Sequence, residues 1–580
     1  MAGRLVPKNL NVIKKVLQLS KRTLTSDQTI SGHVIGSGFP DVEIPKLTLP
    51  EFFEPYFDKF ERFTAIECSE TKRKYTYGEI NRKSINLAKA FRKIFKLNDG
   101  DVVAVILSNI PEYPIASLGI LRANLVITTV SPAFTSDEIF RQLDDSGAKL
   151  VITELDQYSK VSQSIRKTLK KMQVMIIKTN NGQDLPNDTI DFHELLNAEI
   201  NYPDIRPGSP ENTAFLPYSS GTTGLPKGVQ LTHNNIVSNL FQHHKPPEVR
   251  FLNETSDDFQ EIFPTTLPLY HAFGYNVVMN GSVIHGGKVV TLRKFSPKAY
   301  TTMLKEYPCS TGLYVVPPLV LMLINSEDAK VEYLRNLRFL VSGAAPLSES
   351  DEQRFLEKFG DHIAISQGYG MTETTSIISY AYPNVIKGRT SSKGSVGIPL
   401  FNTRIKILNI DDEKSPPLGP LKTGEIYVKG PQVMKGYLNR PEETTKCLST
   451  DGWLRTGDIG YYNEDGFLFI TDRFKELIKV KAHQVPPAEL ESIIRSFPGV
   501  SEAAVIGIPH PSSGEVPRAY VVPKKGTVID VKKLDEFVSS NVAKYKELKG
   551  GIVVVDEIPK SPSGKILRRL IKEEFSRNDR

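Results

Sequence analysis

Tyr218-Ser219-Ser220-Gly221-Thr222-Thr223-Gly224-Leu225-Pro226-Lys227-Gly228 packs four Ser and Thr hydroxyls, three glycines and one lysine into eleven residues, directly after the apolar run Thr213 to Leu216. Glycines let a backbone turn tightly and approach a ligand, and exposed N–H groups in such a turn form a nest for anions. The hydroxyls add donors, and Lys227 adds a point charge suited to a phosphate oxygen. This is the chemistry of a triphosphate cradle. It is not a Walker A loop: the Gly-x-x-x-x-Gly-Lys-Ser/Thr spacing is missing, and no helix start follows the lysine directly. The same composition also describes a flexible surface loop, so the rest of the chain has to decide.

Further blocks lie downstream. Leu267-Pro268-Leu269-Tyr270-His271-Ala272-Phe273-Gly274 holds a lone histidine. Val341-Ser342-Gly343-Ala344-Ala345-Pro346-Leu347 follows an apolar strand from Phe339, and its small residues permit close approach of a flat ring. Gln367-Gly368-Tyr369-Gly370-Met371-Thr372-Glu373-Thr374 is not a dinucleotide fingerprint, because Glu373 stands where the third glycine belongs. A carboxylate beside a hydroxyl there suits Mg²⁺, which takes one or two carboxylates plus phosphate oxygens. Asp458, in Thr456-Gly457-Asp458, offers two acceptor oxygens of the kind that grip ribose hydroxyls. Gly424 to Gly430 reads as a structural strand, and Pro559 to Arg569 is a basic loop containing Lys565.

Taken in order, these blocks resemble the adenylate-forming superfamily (acyl-CoA synthetases, coumarate–CoA ligases, insect luciferases), and most closely the fatty acyl-CoA synthetases. The resemblance covers roughly residues 50 to 570. It implies that Ser219, Ser220, Gly221, Thr222, Thr223, Gly224 and Lys227 hold the phosphates of ATP. Gly343, Ala344 and Ala345 would contact adenine, with Gly368, Tyr369 and Gly370 packed nearby. Thr372 would bond the α-phosphate, Glu373 would hold Mg²⁺, and Asp458 and Arg473 would hold the ribose and phosphate. His271 would border the acyl and adenylate site, with Phe273 beside the acid's tail. Lys475 would be the interdomain hinge, Lys565 the catalytic lysine of adenylation, and Lys479, Lys481 and Gln484 would lie on the CoA side. One departure stands out: relatives commonly carry Gly and then an aromatic where this chain has Ala482-His483, near the pantetheine tunnel.

Composition agrees with such an enzyme. At 580 residues the chain is too long for one core. Hydrophobic content of 39% and charged content of 24% are those of a globular protein. A net charge of +7 suits the anionic substrates ATP and CoA, and no arginine-rich face with interleaved aromatics argues for nucleic acid. Cys68, Cys309 and Cys447 are odd in number and far apart, which argues against a disulfide framework and for three buried thiols in a reducing compartment. No apolar run is long enough to span a membrane, which leaves only peripheral membrane contact.

From about residue 50 the chain alternates short β-rich runs (101–107, 125–130, 150–153, 174–177) with helical ones (112–121, 136–145). That pattern means mostly parallel sheets covered by helices. Strands at 502–508 and 552–555 and a helix at 531–541 describe a small mobile α+β lid. The expected division is an N-terminal segment 1–45, an adenylating domain 46–471 and a lid 472–580.

The reaction implied is ATP-dependent activation of a carboxylic acid to acyl-AMP, followed by transfer to CoA. A medium- or long-chain fatty acid is favoured as substrate, and an aryl, coumarate-like acid is the alternative. A luciferase-like oxygenase fits less well: beetle luciferases carry Arg where this chain has Asn239 and Ala where it has Ile377. A carrier-loading domain lacks its carrier motif. A non-enzymatic scaffold conflicts with Lys227, Glu373, Asp458, Arg473 and Lys565 all being present.

Residues 1–26 contain no Asp or Glu, and Val6, Leu10, Ile13, Leu17 and Leu24 fall opposite Lys8, Lys15 and Arg22 on a helical wheel. This is the composition of a mitochondrial transit peptide; a surface amphipathic helix or a basic tail on a cytoplasmic protein are the alternatives. The terminal Arg577-Asn578-Asp579-Arg580 is not a peroxisomal Ser-Lys-Leu address. Residues 1–45 fused to a reporter are therefore expected to carry it to mitochondria; a diffuse cytosolic signal would reject that address.

Overall fold

The computed structural model describes residues 32–578, apart from 169–171, 179–181, 220–225, 383–384, 386–391, 411, 413, 474–475, 481–482, 511–512 and 562–563. The basic segment 1–26, the cradle residues Ser220 to Gly224, the expected hinge residue Lys475, Lys481 and Ala482 thus lie outside the described residues.

Each alternation predicted above forms its element. Val102–Ile106 lies inside a nine-stranded sheet, paired in parallel with Val126–Thr129 on one side and Leu150–Glu154 on the other. Helices start where the sequence supplies reciprocal caps. Thr76 Oγ1 accepts from the Glu79 N–H (3.1 Å) while Glu79 Oε2 accepts from the Thr76 N–H (2.8 Å), opening the helix Tyr77–Lys93. Thr135 and Glu138 do the same for Ser136–Ser146, which ends on Gly147 at φ +66°.

At the far edge of this sheet the chain folds Tyr218–Ser219 back on Lys227–Thr232, with Ser219 opposite Lys227. The two flanks of the cradle are thus paired with each other, and the second is anchored in the sheet through Thr213–Phe215. The strand after the lysine accords with the sequence reading that no helix follows it.

Two further sheets complete the parallel part of the large domain. One has four strands, including Thr64–Cys68 and Lys288–Thr291. The other has five: Gly312–Val315, Phe339–Ser342 and Ala364–Tyr369 run parallel, then Ser379–Tyr380 and Ile398–Pro399 run antiparallel. A fourth sheet, not anticipated from the sequence, has all of its pairings antiparallel; it runs through Val34–Ile35, Arg404–Leu408, Gly424–Lys429, Leu454–Tyr462 and Leu468–Arg473. Its first strand belongs to the stretch grouped above as the N-terminal segment 1–45. Val34 and Ile35 pair with Lys406 and Ile405, and the Asn402 amide exchanges hydrogen bonds with the Val42 backbone (3.1 and 2.9 Å), so this part packs on the large domain.

The strand Leu468–Arg473 leads directly into the lid. There Val500–His510 pairs with Gly514–Pro523, and the sheet packs under the helices Pro487–Ser496 and Val531–Asn541. The lid has its own core of Leu490, Ile494, Val505, Val521 and Leu534, all fully buried and each worth about 1.5–3 kcal/mol. No described helix is long and apolar enough to cross a membrane.

Candidate active site

The paired strands Tyr218–Ser219 and Lys227–Thr232 bring the first parts of the site together. Ser219 Oγ donates to Glu373 Oε1 at 2.7 Å, and the Tyr437 hydroxyl donates to the same oxygen at 2.9 Å. Glu373 sits in the short turn Thr372–Thr374 at the end of a strand and is only 4% exposed. Among the described residues both bonds fall on Oε1. Lys227 pairs with Glu443 Oε2 at 2.6 Å and lies over the Tyr437 ring. Lys227 and Lys446 hold the Glu443 carboxyl down at about 2. A phosphate arriving at Lys227 must compete with this carboxylate. Neither Tyr437 nor Glu443 was singled out from sequence; the Pro441-Glu442-Glu443 helix start was the available signal for the second.

The strand end Gly368–Tyr369 and the following Gly370 line two cavities at once. The larger, about 1720 Å³ of empty space, opens between the domains and is bounded by Ala344, Ala345, Asp458 and Arg473 on the large-domain side. The smaller, about 560 Å³, runs inward past His271, Phe273, Gly343 and Thr372 to Val277, Ile377 and Tyr380. Lys565 lines both. Close approach is real here: a Cβ on Gly370 would fall 1.5 Å from the Ser376 carbonyl oxygen, and one on Gly343 would meet the Phe273 ring at 3.2 Å. Ala344, at φ +70°, is a non-glycine residue in the left-handed region, strain of the kind found at ligand clamps.

Asp458 is the hub of the interdomain cavity. Its strand pairs it directly with Arg473, whose Nε lies 3.3 Å from Oδ1, while the Tyr369 hydroxyl donates to Oδ2 at 2.7 Å. Asp472 turns the other way. Its Oδ2 accepts from the Ala488 N–H (3.1 Å) at the start of the lid helix, and burial pushes its carboxyl up to about 6. The first lid contact is thus a backbone bond to the residue before Arg473, at the boundary read from sequence. Arg568, which the sequence reading missed, ties the lid together through Glu476 and Glu491 (2.7 Å to the latter). Arg495 reaches Asp351 of the large domain at 3.8 Å.

Lys565 reaches the cleft on a turn in which the Ser561 N–H donates to the Lys565 carbonyl (2.8 Å), with Gly564 at φ +80° packed near Pro318 of the large domain. Burial and the Arg473 guanidinium lower its ammonium from 10.5 to about 8, against the opposing pull of Asp458, Glu373 and Glu476. His271 accepts the Phe273 N–H on Nδ1 (3.3 Å), so its proton sits on Nε2. Burial and the Lys565 charge hold its imidazole down near 4, neutral at physiological pH. Phe273 opens a π-helical stretch, Phe273–Asn280, whose Asn276 donates to Asn239 (3.1 Å); Asn239 in turn donates to the Ile377 carbonyl (2.9 Å). The two positions contrasted above with beetle luciferases therefore touch each other, and Ile377 lines the inner cavity.

The remaining expected residues lie apart. Lys479 is exposed on the lid strand Ile478–Val480, opposite Gln484 in register, and lines neither cavity. Cys68 and Cys309 are buried as expected, but Cys447 is only half-buried beside Tyr437; burial and the nearby Glu373 push its thiol up to about 11. That correction follows from its place on the short surface helix Pro441–Cys447, none of whose residues is buried.

The Lys565 shift makes a prediction about the lid. With the lid open the lysine is in water and titrates near its ordinary value; closed, it titrates near 8. The closed form therefore binds fewer protons from pH 8 to 10, and raising the pH across that range should favour closure without ligand, approaching about tenfold per pH unit. Interdomain distance measured by fluorescence transfer against pH checks this. Closure that is flat or falls with pH would contradict it, and Lys565→Met should abolish the slope.

Comparison with known proteins agrees with this geometry. The family model described as AMP-binding enzyme matches residues 53–438, and that of the AMP-binding enzyme C-terminal domain matches 489–565. The chain is 35% identical over 542 residues to 4-coumarate–CoA ligase 3 of Oryza sativa subsp. japonica, covering 92% of this chain and 94% of the rice protein. It is 34% identical to the probable 4-coumarate–CoA ligase 1 of Dictyostelium discoideum, covering 93% and 97% of the two chains. Its fold matches ATP-bound MatB from Rhodopseudomonas palustris with a TM-score of 0.79 at 27% identity, covering 91% of this chain and 99% of that one. These relatives are named coumarate ligases, where the sequence alone led toward fatty acyl-CoA synthetases. The chain belongs to the AMP-binding enzymes, the adenylate-forming superfamily that its Ser219–Val229 loop resembles.

Proposed function

We propose that this protein is an AMP-forming acid–CoA ligase whose acid is compact and aryl-sized rather than a long fatty acid. The observation that carries the reaction is the position of Lys565 where the two cavities meet. An acid in the inner cavity and a nucleotide in the interdomain one would present carboxylate and α-phosphorus to each other at that point. The acid's oxygen forms a bond to phosphorus and pyrophosphate leaves; Lys565 and Arg473 face the charge that develops. Positioning and charge stabilisation are the main resources for phosphoryl transfer. His271, neutral with its proton on Nε2, is a donor for the acid end rather than a second cation.

Mg²⁺ fits this arrangement as a companion of ATP. Among the described residues no group of three or more His, Cys, Asp or Glu forms a metal cage, so the ion would share Glu373 with phosphate oxygens, the usual habit of Mg²⁺. For the second step the lid must turn, exchanging the Asp472–Ala488 and Asp351–Arg495 contacts for others, so that the CoA thiol can attack the acyl carbonyl and AMP leaves.

The acid's size is supported by the way Val277, Ile377 and Tyr380 line the inner cavity, and by relatives named for coumarate. The acid-free basic stretch 1–26 supports a mitochondrial address. The expected result of a CoA-dependent pyrophosphate-release screen is turnover on arylpropenoic acids, with activity on straight-chain acids falling as the chain lengthens. Better turnover on long-chain than on aryl acids would reverse the substrate assignment. No turnover on any acid would reject the ligase reading.

A further inference from the structure

The wall of the interdomain cavity at Ala344 and Ala345 is a strained loop with both ends pinned. It leaves the strand Phe339–Ser342 with the Gly343 N–H donating to the Val315 carbonyl (3.2 Å), passes Ala344 at φ +70°, and ends at Leu347. There the Gln367 amide holds it: Oε1 accepts from the Leu347 N–H and Nε2 donates to the Leu347 carbonyl, both at 3.0 Å. The amide stands in for a neighbouring strand. Gln367 is itself fixed: it is buried, paired with Ser342 in register, and its carbonyl accepts from the Ala381 N–H (3.0 Å). A non-glycine residue in the left-handed region persists only where its surroundings over-determine it, and Ala344 is held from both flanks in this way.

The remaining Nε2 proton goes to Glu352, whose Oε1 accepts it at 2.8 Å. Glu352 lies in the first turn of the helix Glu349–Phe359, which is capped by Ser348 Oγ accepting from the Asp351 N–H (3.2 Å). An amide carries its donors on nitrogen and its acceptor on oxygen, so an acceptor at Glu352 holds the one orientation that matches both Leu347 groups. Burial pushes the Glu352 carboxyl up to about 7; the Gln367 amide and the Lys393 charge pull it down, and Glu349 and Asp351 push it further up. Either protonation state keeps Oε1 available as an acceptor. Glu352 lines neither cavity, so its reach to a ligand runs through Gln367.

We propose that Glu352 is a positioning residue for the nucleotide: through the Gln367 amide it keeps the Ala344–Ala345 wall in the shape that receives the base, and so sets affinity at the adenine end of ATP and not at the phosphate end. This rests on the reading of the interdomain cavity as the nucleotide site. The phosphate end is held by other bonds, Lys227 by Glu443 and Glu373 by Ser219 and Tyr437. Without an acceptor at Glu352 a buried amide N–H is left unmatched, which costs more than the bond itself contributes. The amide is then free to turn, and the strained loop to relax.

The test measures binding of AMP, and separately of pyrophosphate with Mg²⁺, to the full chain by calorimetry. Glu352→Ala should weaken AMP about tenfold, the scale of one buried donor left unmatched, and leave pyrophosphate within about twofold. Glu352→Leu, which fills the same space without an acceptor, should do the same and serves if the alanine variant does not fold. Glu352→Gln keeps an acceptor oxygen within reach and should restore AMP to within about twofold of the unaltered chain. Gln367→Met should weaken AMP at least as much as Glu352→Ala, and adding Glu352→Ala to it should cost nothing further, because residues that act through one another are not additive. Equal losses for AMP and pyrophosphate, or AMP binding unchanged in Glu352→Ala, overturn the inference while the nucleotide site stands. A Glu352→Gln variant as weak as Glu352→Ala, or a fully additive double variant, overturns it in the same way. If the unaltered chain binds neither AMP nor pyrophosphate, the nucleotide site itself is rejected.

Discussion

The closed lid depends on a lysine held where lysines are costly. Taking the Lys565 ammonium out of water and setting it beside Arg473 lowers it to about 8, so keeping it charged there at neutral pH costs about 3 kcal/mol. That cost remains after the opposing pull of Asp458, Glu373 and Glu476, and it waits for an anion. A nucleotide triphosphate is such an anion. The lid is thus poised so that binding its proposed substrate removes the strain of closure, which is how binding energy assembles a site only when the site is filled.

The same economy runs through the rest of the cleft. Each group aimed at the proposed substrate is occupied by a neighbour that a ligand can displace or share. Lys227 is engaged by Glu443, Arg473 by Asp458, and Glu373 by Ser219 and Tyr437 through one oxygen. The structural ion pairs differ in kind. Arg568 is fixed between Glu476 and Glu491 inside the lid, and Arg73 by the fully buried Glu112.

Much of this was legible in the sequence where chemistry is local. A short apolar run with a capping Thr and a Glu three residues on specifies a strand-to-helix unit, and the Tyr77 and Ser136 helices start where those residues stand. Ser219, Glu373 and Arg473 converge because their motifs lie at or just beyond strand ends, and Asp458 joins them because its strand pairs it directly with Arg473. What was not legible depends on pairings between distant segments. Glu443 meets Lys227 across 216 residues, and the antiparallel sheet joins Val34 to Lys406.

The central claim is that Lys565 serves the first half-reaction from the closed lid and is not needed for the second. The direct measurement is a pair of single-turnover rates for Lys565→Ala, one from ATP plus acid and one from supplied acyl-adenylate plus CoA. The account predicts a fall of roughly 10²–10³ in the first, the loss typical of removing a donor aimed at transition-state charge, with the second rate retained. An equal fall in both rates, or no change in either, would contradict it.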